Sequence, residues 1–243
     1  MDPKRFRIKL AEQKSPHGAE VTEFLSDPGV VLAVNGGFFD IDDSKRLRAA
    51  GALVVHGVVR NGALNRQTGA LVGGDDNVRI IWAKDLAPLA SYTFALQSGP
   101  ILVEGPNRVG IKRNDYDRLG RAAICTKGGT VIFIAIKGAK GTGLSLYEFA
   151  SLLAAREEDG GIGCELALNL DGGPSTQAVM KLNGVTETAT GLWKVHNAII
   201  VSKKIETYSR LISSLHCALR WSRRIVVQRA LTKCYIETAL AAT

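Results

Sequence analysis

The sequence predicts an α+β domain: a twisted, largely antiparallel or mixed sheet flanked by a few helices, followed by a C-terminal helical tail. Three observations predict it. Short apolar segments with period-two alternation recur along most of the chain and are separated by Asn-Gly, Gly-Gly and Asp-Asp turns. Before the tail, one segment, opened by Ser145 with Glu148 in capping-box register, has clear helical spacing. The strands do not alternate with helices, which excludes a βαβ arrangement, and no Gly-x-Gly-x-x-Gly follows a strand in the right context.

Taken in order, alternating Phe6, Ile8 and Leu10 predict an edge strand over residues 5–10, with Arg5, Arg7 and Lys9 facing solvent. A short helix is expected over residues 19–25, ending at Asp27-Pro28. The strand 30–34 follows, then the acids Asp40, Asp42 and Asp43. Alternating acids can bind a divalent metal, but this run lacks the spacing and terminal Glu of an EF-hand loop, so a solvated loop is the default. Further strands are expected at 52–60, 78–82, 92–96 and 101–103. His56, between apolar residues, reads as a sheet residue rather than a base. Ser98 has no adjacent histidine or nucleophile elbow, so a serine nucleophile is not supported. Residues 131–136 are the most apolar strand and are expected at the centre of a sheet. In the helix opened by Ser145, Leu146, Phe149, Ala150 and Leu153 form the buried face, and Gly160-Gly161 ends it. A hairpin through Lys181 and Asn183-Gly184 and a last core strand at 198–201 complete the domain.

The 243 residues, 46% of them hydrophobic, suffice for one sizeable core, or one core plus an appendage. The division expected is a domain over residues 1–203 and a basic amphipathic tail over 204–243. The net charge is +8, yet eight basic and only two acidic residues lie from Ser202 onward, so what precedes is close to neutral. With no recognisable nucleic-acid motif, that basicity does not argue for a nucleic-acid partner. In the tail, Tyr208, Leu211, Ile212, Leu215, Leu219 and Ile225 follow helical spacing beside Arg220, Arg223 and Arg224. It reads as a helix packing on the core or a partner, as a membrane-surface helix, or as an unselected extension of the reading frame. No run of eighteen or more apolar residues is present. The N-terminus has no apolar h-region and starts as a strand, not as a signal peptide. Cys125 and Cys164 sit in or beside apolar runs and read as small core residues; a disulfide is expected only if the compartment oxidises.

The stretch that organises the chain is Leu166-Ala-Leu-Asn-Leu-Asp171-Gly-Gly-Pro-Ser175-Thr-Gln177. An apolar strand runs into a polar, glycine-rich turn where a carboxylate meets hydroxyl side chains and backbone N–H groups. Asp-Gly-Gly is also an ordinary turn. What weighs against that reading is a second junction of the same design, Val30-Val-Leu-Ala-Val-Asn35-Gly36-Gly37-Phe-Phe-Asp40.

Together the two junctions resemble the phosphodiester glycosidase family, whose chains carry an early Asn-Gly-Gly-Phe-Phe and a late Asn-Leu-Asp-Gly-Gly-x-Ser. Here these stand at Asn35 to Phe39 and Asn169 to Ser175, and between them Gln97-Ser98-Gly99-Pro100 and Arg121-Ala-Ala-Ile124 match two further segments in order. The resemblance covers roughly residues 5 to 203. Lys137-Gly138 departs from it, since many relatives carry an Asp-Gly-Arg-like segment there. Members are often exported or periplasmic, so the resemblance implies either a cytoplasmic variant or a chain that has lost its leader, and the localisation stays open.

The resemblance implies hydrolysis between an anomeric carbon and a phosphodiester. Asp171 would be the nucleophile or the base for water, with Arg121 and the N–H groups of Gly172 and Gly173 holding the phosphate. Asn35 and Asn169 would orient sugar hydroxyls. Ser175 or Thr176 would complete the shell, with Gly36, Gly37, Ser98 and Lys137 as further substrate-binding positions. No cofactor is assigned beyond the metal alternative. The rival reading is a non-catalytic glycan- or sugar-phosphate-binding module of the cell envelope, accompanying exopolysaccharide assembly, in which Asp171 only accepts hydrogen bonds.

Overall fold

The computed structural model describes residues 1–13, 15–26, 29–74, 77–138 and 141–204. The expected tail, and the expected helix end at Asp27-Pro28, lie outside these residues. In chain order the strands are β1 Phe6–Glu12, β2 Val30–Asn35, β3 Phe39–Ile41, β4 Leu47–Ala49, β5 Leu53–Val55, β6 Val58–Asn61, β7 Gly69–Gly73 and β8 Val78–Trp82. They continue with β9 Phe94–Ser98, β10 Ile101–Val103, β11 Arg121–Lys127, β12 Thr130–Ile136, β13 Leu166–Asn169, β14 Ala178–Leu182, β15 Val185–Ala189 and β16 Asn197–Lys203. The α-helix α1 spans Leu146–Ala154.

Among the described residues four sheets form, in the orders β1-β16-β2-β14-β15, β10-β13-β11-β12, β3-β4 and β6-β5-β9-β7-β8. The paired strands run antiparallel, as expected. The balance differs from expectation: the described residues are mainly β, and apart from α1 their helical segments are short 3-10 turns such as Val21–Ser26 and Gly173–Ser175. Among the described residues, no helix is long and apolar enough to cross a membrane.

One core draws on the three larger sheets at once. Leu10, Val34 and Ile199 come from the first, Leu53, Leu71 and Leu96 from the last, and Ile124 and Leu168 from the middle one. Period-two alternation makes this possible, because each strand turns its apolar set to the shared interior. A second cluster fills the other face of the middle sheet, where Phe149 and Leu153 of α1 meet Leu102, Ala123 and Ala167. Each such side chain contributes about 1.5–3 kcal/mol on burial.

The capping box holds α1 as expected, with Ser145 Oγ accepting from Glu148 N and Glu148 accepting from Ser145 N. The helix stops at Ala154, before Gly160-Gly161; a 3-10 turn at Glu157–Asp159 fills the gap, and Gly160 caps it at φ +81°. β12 is not central but an edge strand. Its apolar run reflects contacts on both faces: Ile132, Ile134 and Ile136, partly buried, pack on the α1 cluster, and buried Val131 with partly buried Phe133 on the main core. Cys125 and Cys164, read as separate core residues, are joined in a buried disulfide with a Cα–Cα distance of 5.9 Å. It ties β11 to the segment entering β13.

Candidate active site

The two glycine junctions lie against one another. β2 and β13 belong to different sheets, yet their C-terminal ends meet, with Asp171 N–H donating to Gly36 O at 3.0 Å. Asn35 is fully buried and uses both ends of its amide. Nδ2 donates to Asp171 O at 2.7 Å, and Oδ1 accepts from Gln177 N–H at 3.0 Å. The backbone of Asn35 in turn donates to Gln177 O at 3.0 Å. Asn197, at the start of β16, grips the first junction: its backbone carbonyl accepts from Gly36 N–H at 2.9 Å and its Oδ1 from Gly37 N–H at 3.0 Å.

On this base Asp171 enters a cavity of about 500 Å³. Its floor is polar, made by Asn169, Asp171, Gly172, Ser175 and Arg121, and its walls are apolar, from Phe38, Phe39, Ile41, Leu119, Leu146 and Trp193. Asp171 is the one carboxylate among the described lining residues. Burial pushes its carboxyl up to about 6; hydrogen bonds from Ser175 Oγ and from Gly172 N–H (2.8 Å) offset that only in part. Arg121 is 8% exposed, and burial lowers its pKa from the usual guanidinium value. Its Nε donates to Leu144 O at 2.8 Å and Nη2 to Asp117 O at 2.6 Å, which turns Nη1 toward Gly172. Asn169 donates through Nδ2 to Gly99 O at 3.0 Å, while its Oδ1 is buried with no hydrogen-bond partner among the described groups.

The expected site residues divide into three groups. Asp171, Arg121, Asn169, Gly172, Gly173 and Ser175 line this cavity. Asn35, Gly36, Gly37 and Ser98 do not; they are buried beneath it, and Ser98 Oγ donates to Asn169 O at 2.7 Å. Thr176 and Lys137 line a separate neighbouring cavity. The hydrogen bonds of the structure bear on two expected roles. The N–H of Gly172 bonds Asp171 Oδ1 and that of Gly173 bonds Gly120 O at 2.8 Å, so neither is an open anion donor. Asn35 is fully buried and does not line the cavity; its amide bridges the two strand ends through one donor and one acceptor.

Sequence reasoning missed Asn197 and Trp193, and it read Gln177 as a neighbour of the carboxylate, whereas Gln177 bonds Asn35 Oδ1 and Trp193 O. A polar Asn opening the apolar segment of β16 was the available signal for Asn197, and a Trp after Gly191 for the wall. The acids after the first junction do not converge: Asp42 caps the β3–β4 hairpin through Ser44 N–H and Arg46 N–H. Among the described residues, no group of three or more His, Cys, Asp or Glu side chains is placed to hold a metal.

The family model for phosphodiester glycosidases matches residues 28–202, which includes both junctions, the cavity floor and all but the last residue of β16. The chain belongs to the phosphodiester glycosidase family. No curated protein matches it. Among solved structures, a hypothetical protein from Synechocystis is similar with a TM-score of 0.61 and 16% identity, covering 84% of this chain. The match spans only 58% of that protein's length. The catalytic domain of zebrafish N-acetylglucosamine-1-phosphodiester alpha-N-acetylglucosaminidase, auto-inhibited by its pro-peptide, gives a TM-score of 0.63 at 15% identity over 83% of this chain and 74% of that one. At these identities the likeness is one of fold. It places this phosphodiester glycosidase family member among proteins of the same architecture.

Proposed function

We propose that the chain hydrolyses the bond between a sugar's anomeric carbon and a phosphodiester, on substrates of the N-acetylglucosamine-1-phosphodiester type. The observation that carries this reading is that Asp171, the one carboxylate among the described lining residues, and the buried Arg121 line one cavity. A glycosidase with an alcohol as leaving group needs a second carboxyl group as acid. A phosphomonoester departs as a stabilised anion, so the demand shifts from protonation to charge stabilisation. Family membership supports the same reaction class, and the zebrafish relative's name specifies this bond.

Arg121 meets the phosphate with its Nη1 edge, since Leu144 and Asp117 hold Nε and Nη2. That fixed plane needs no reorganisation as charge develops. Asp171, more basic than an ordinary carboxylate but still ionised at neutral pH, removes a proton from water. The water oxygen bonds to the anomeric carbon, its proton passes to Asp171, and the carbon–oxygen bond breaks with its electron pair on the departing phosphomonoester. Asn169 Oδ1 accepts from a substrate hydroxyl, and Ser175 steadies the carboxylate.

The test is hydrolysis of methyl N-acetylglucosamine-1-phosphodiester by the purified chain, alongside Asp171→Asn. The variant is expected to lose at least ~10³-fold in kcat, with a sugar of inverted configuration released by the parent. Full turnover in the variant would remove Asp171 from the chemistry. Retained configuration would make it the nucleophile instead. An EDTA arm reads directly whether a divalent metal is needed. Substrates bound by the parent but never turned over would favour the non-catalytic binding module.

A further inference from the structure

Beside the first cavity lies a second, of about 380 Å³, and the two share the wall built by Leu119, Gly173 and Pro174. The ridge between them is buttressed from behind. Pro174 O accepts from the N–H groups of both Leu192 (2.8 Å) and Trp193 (3.1 Å). These adjacent residues then part: Trp193 lines the first cavity and Leu192 the second, at 55% and 88% exposure. Two large apolar side chains held open to solvent by backbone bonds, one on each side of the catalytic ridge, form a surface shaped for a ligand that crosses it.

The second cavity has its own chemistry. Lys137 is the one charged side chain among its described lining residues, and no carboxylate faces it there. Thr190 adds a hydroxyl; Thr176 also lines the cavity, with its Oγ1 buried against Gly120 and without a hydrogen-bond partner among the described groups. An unpaired buried hydroxyl costs roughly 1–3 kcal/mol in a finished fold, so it marks a place where a partner belongs.

We propose that this second cavity is the aglycone subsite of the same reaction centre, and that it selects aglycones carrying an anionic group of their own. This rests on the phosphodiester reading above. The sugar occupies the Asp171 cavity with the scissile phosphate at Arg121. The aglycone passes over the Pro174 ridge, lies along Leu192, and presents its phosphate or carboxylate to Lys137 and the Thr190 hydroxyl. Lys137 is thereby separated in role from Arg121: it reads the leaving group's far end and takes no part in the bond that breaks.

The experiment compares three N-acetylglucosamine-1-phosphodiesters, with methanol, 3-phosphopropanol and 4-hydroxybutyrate as aglycones. The two anionic aglycones are expected to raise kcat/KM over methyl by about fivefold, the scale of an exposed ion pair, and chiefly through KM. Lys137→Ala should bring that ratio to about one, and Lys137→Glu below one, with unchanged melting temperatures. A preference for phosphate alone or for both anions identifies which group the subsite takes. Turnover of all three esters with no anion preference, or a preference that survives Lys137→Glu, overturns the subsite and leaves the hydrolase reading standing. If none is turned over, calorimetric Kd values for the same panel give the same ratio, and its absence there overturns the proposal equally.

Discussion

Asn35-Gly36-Gly37 and Asp171-Gly172-Gly173 each close an apolar strand with a polar side chain and two glycines, and the fold uses them in opposite ways. The first junction is solid. A Cβ on Gly36 would lie 1.9 Å from Asn197 Oδ1, and one on Gly37 would lie 2.9 Å from Leu96 Cδ1. The second is looser: a Cβ on Gly172 meets Gly120 O at 3.0 Å, and one on Gly173 meets nothing nearer than Leu119 at 3.9 Å. Glycine serves close packing throughout the first, whereas in the second Gly173 is there for its φ of +59°. The polar residues differ for a matching reason. An amide offers a donor and an acceptor, and Asn35 needs both; a carboxylate only accepts, and Asp171 is met by two donors.

The contrast breaks most visibly at the glycines. Gly36→Ala must displace Asn197 and with it the N–H partners of Gly36 and Gly37, so a loss of at least ~4 kcal/mol or outright failure to fold is expected. Gly172 has φ −128°, which alanine adopts without strain, so Gly172→Ala should cost about 1–2 kcal/mol while lowering turnover by narrowing the floor. Urea denaturation of the two proteins settles it. Equal losses would mean the junctions are not different in kind.

Exchanging the polar residues sharpens the comparison. Asn35→Asp keeps the shape but turns the donor facing Asp171 O into a second acceptor, buried and without solvent. A loss of about 3 kcal/mol is expected from the unpaired, charged oxygen. Wild-type stability in Asn35→Asp at pH 7 would show that the amide is not the brace between the strands.

What was legible in the sequence was local. Alternation at Phe6, Ile8 and Leu10 located β1 on its edge, Ser145 and Glu148 located the start of α1, and Asn183-Gly184 located the β14–β15 turn, because each is decided by neighbours a few residues away. The two junctions were visible as motifs, but not that they stack, since the bond from Asn35 to Asp171 spans 136 residues. The same limit hid the Cys125–Cys164 bond, the edge position of β12 and the separation of Lys137 from Arg121 into different cavities. Free N–H groups at Gly172 and Gly173 were a fair expectation for a glycine turn. Asp171 and Gly120 take them, and no periodicity could have revealed that.

The reciprocal exchange, Asp171→Asn, should move stability the other way. Burial raises the folded carboxyl to about 6, against about 3.9 in the unfolded chain, so folding favours the protonated form. Below about pH 4 both states are protonated and the carboxylate costs nothing. Between about pH 4 and 6 the unfolded chain ionises first and wild-type stability falls; above about 6 the full cost is present, on the order of 2–3 kcal/mol. Asparagine keeps an oxygen for Gly172 N–H and carries no charge to bury. The variant is therefore expected to gain about 2 kcal/mol over wild type at pH 8 and to match it near pH 3.5, as read from paired denaturation curves. A variant less stable than wild type at pH 8 would mean that the bonds from Ser175 and Gly172 outweigh burial. The rate profile must then agree: with those bonds dominant, kcat/KM would hold well below pH 6, whereas the buried carboxylate proposed here loses activity as pH falls through that value.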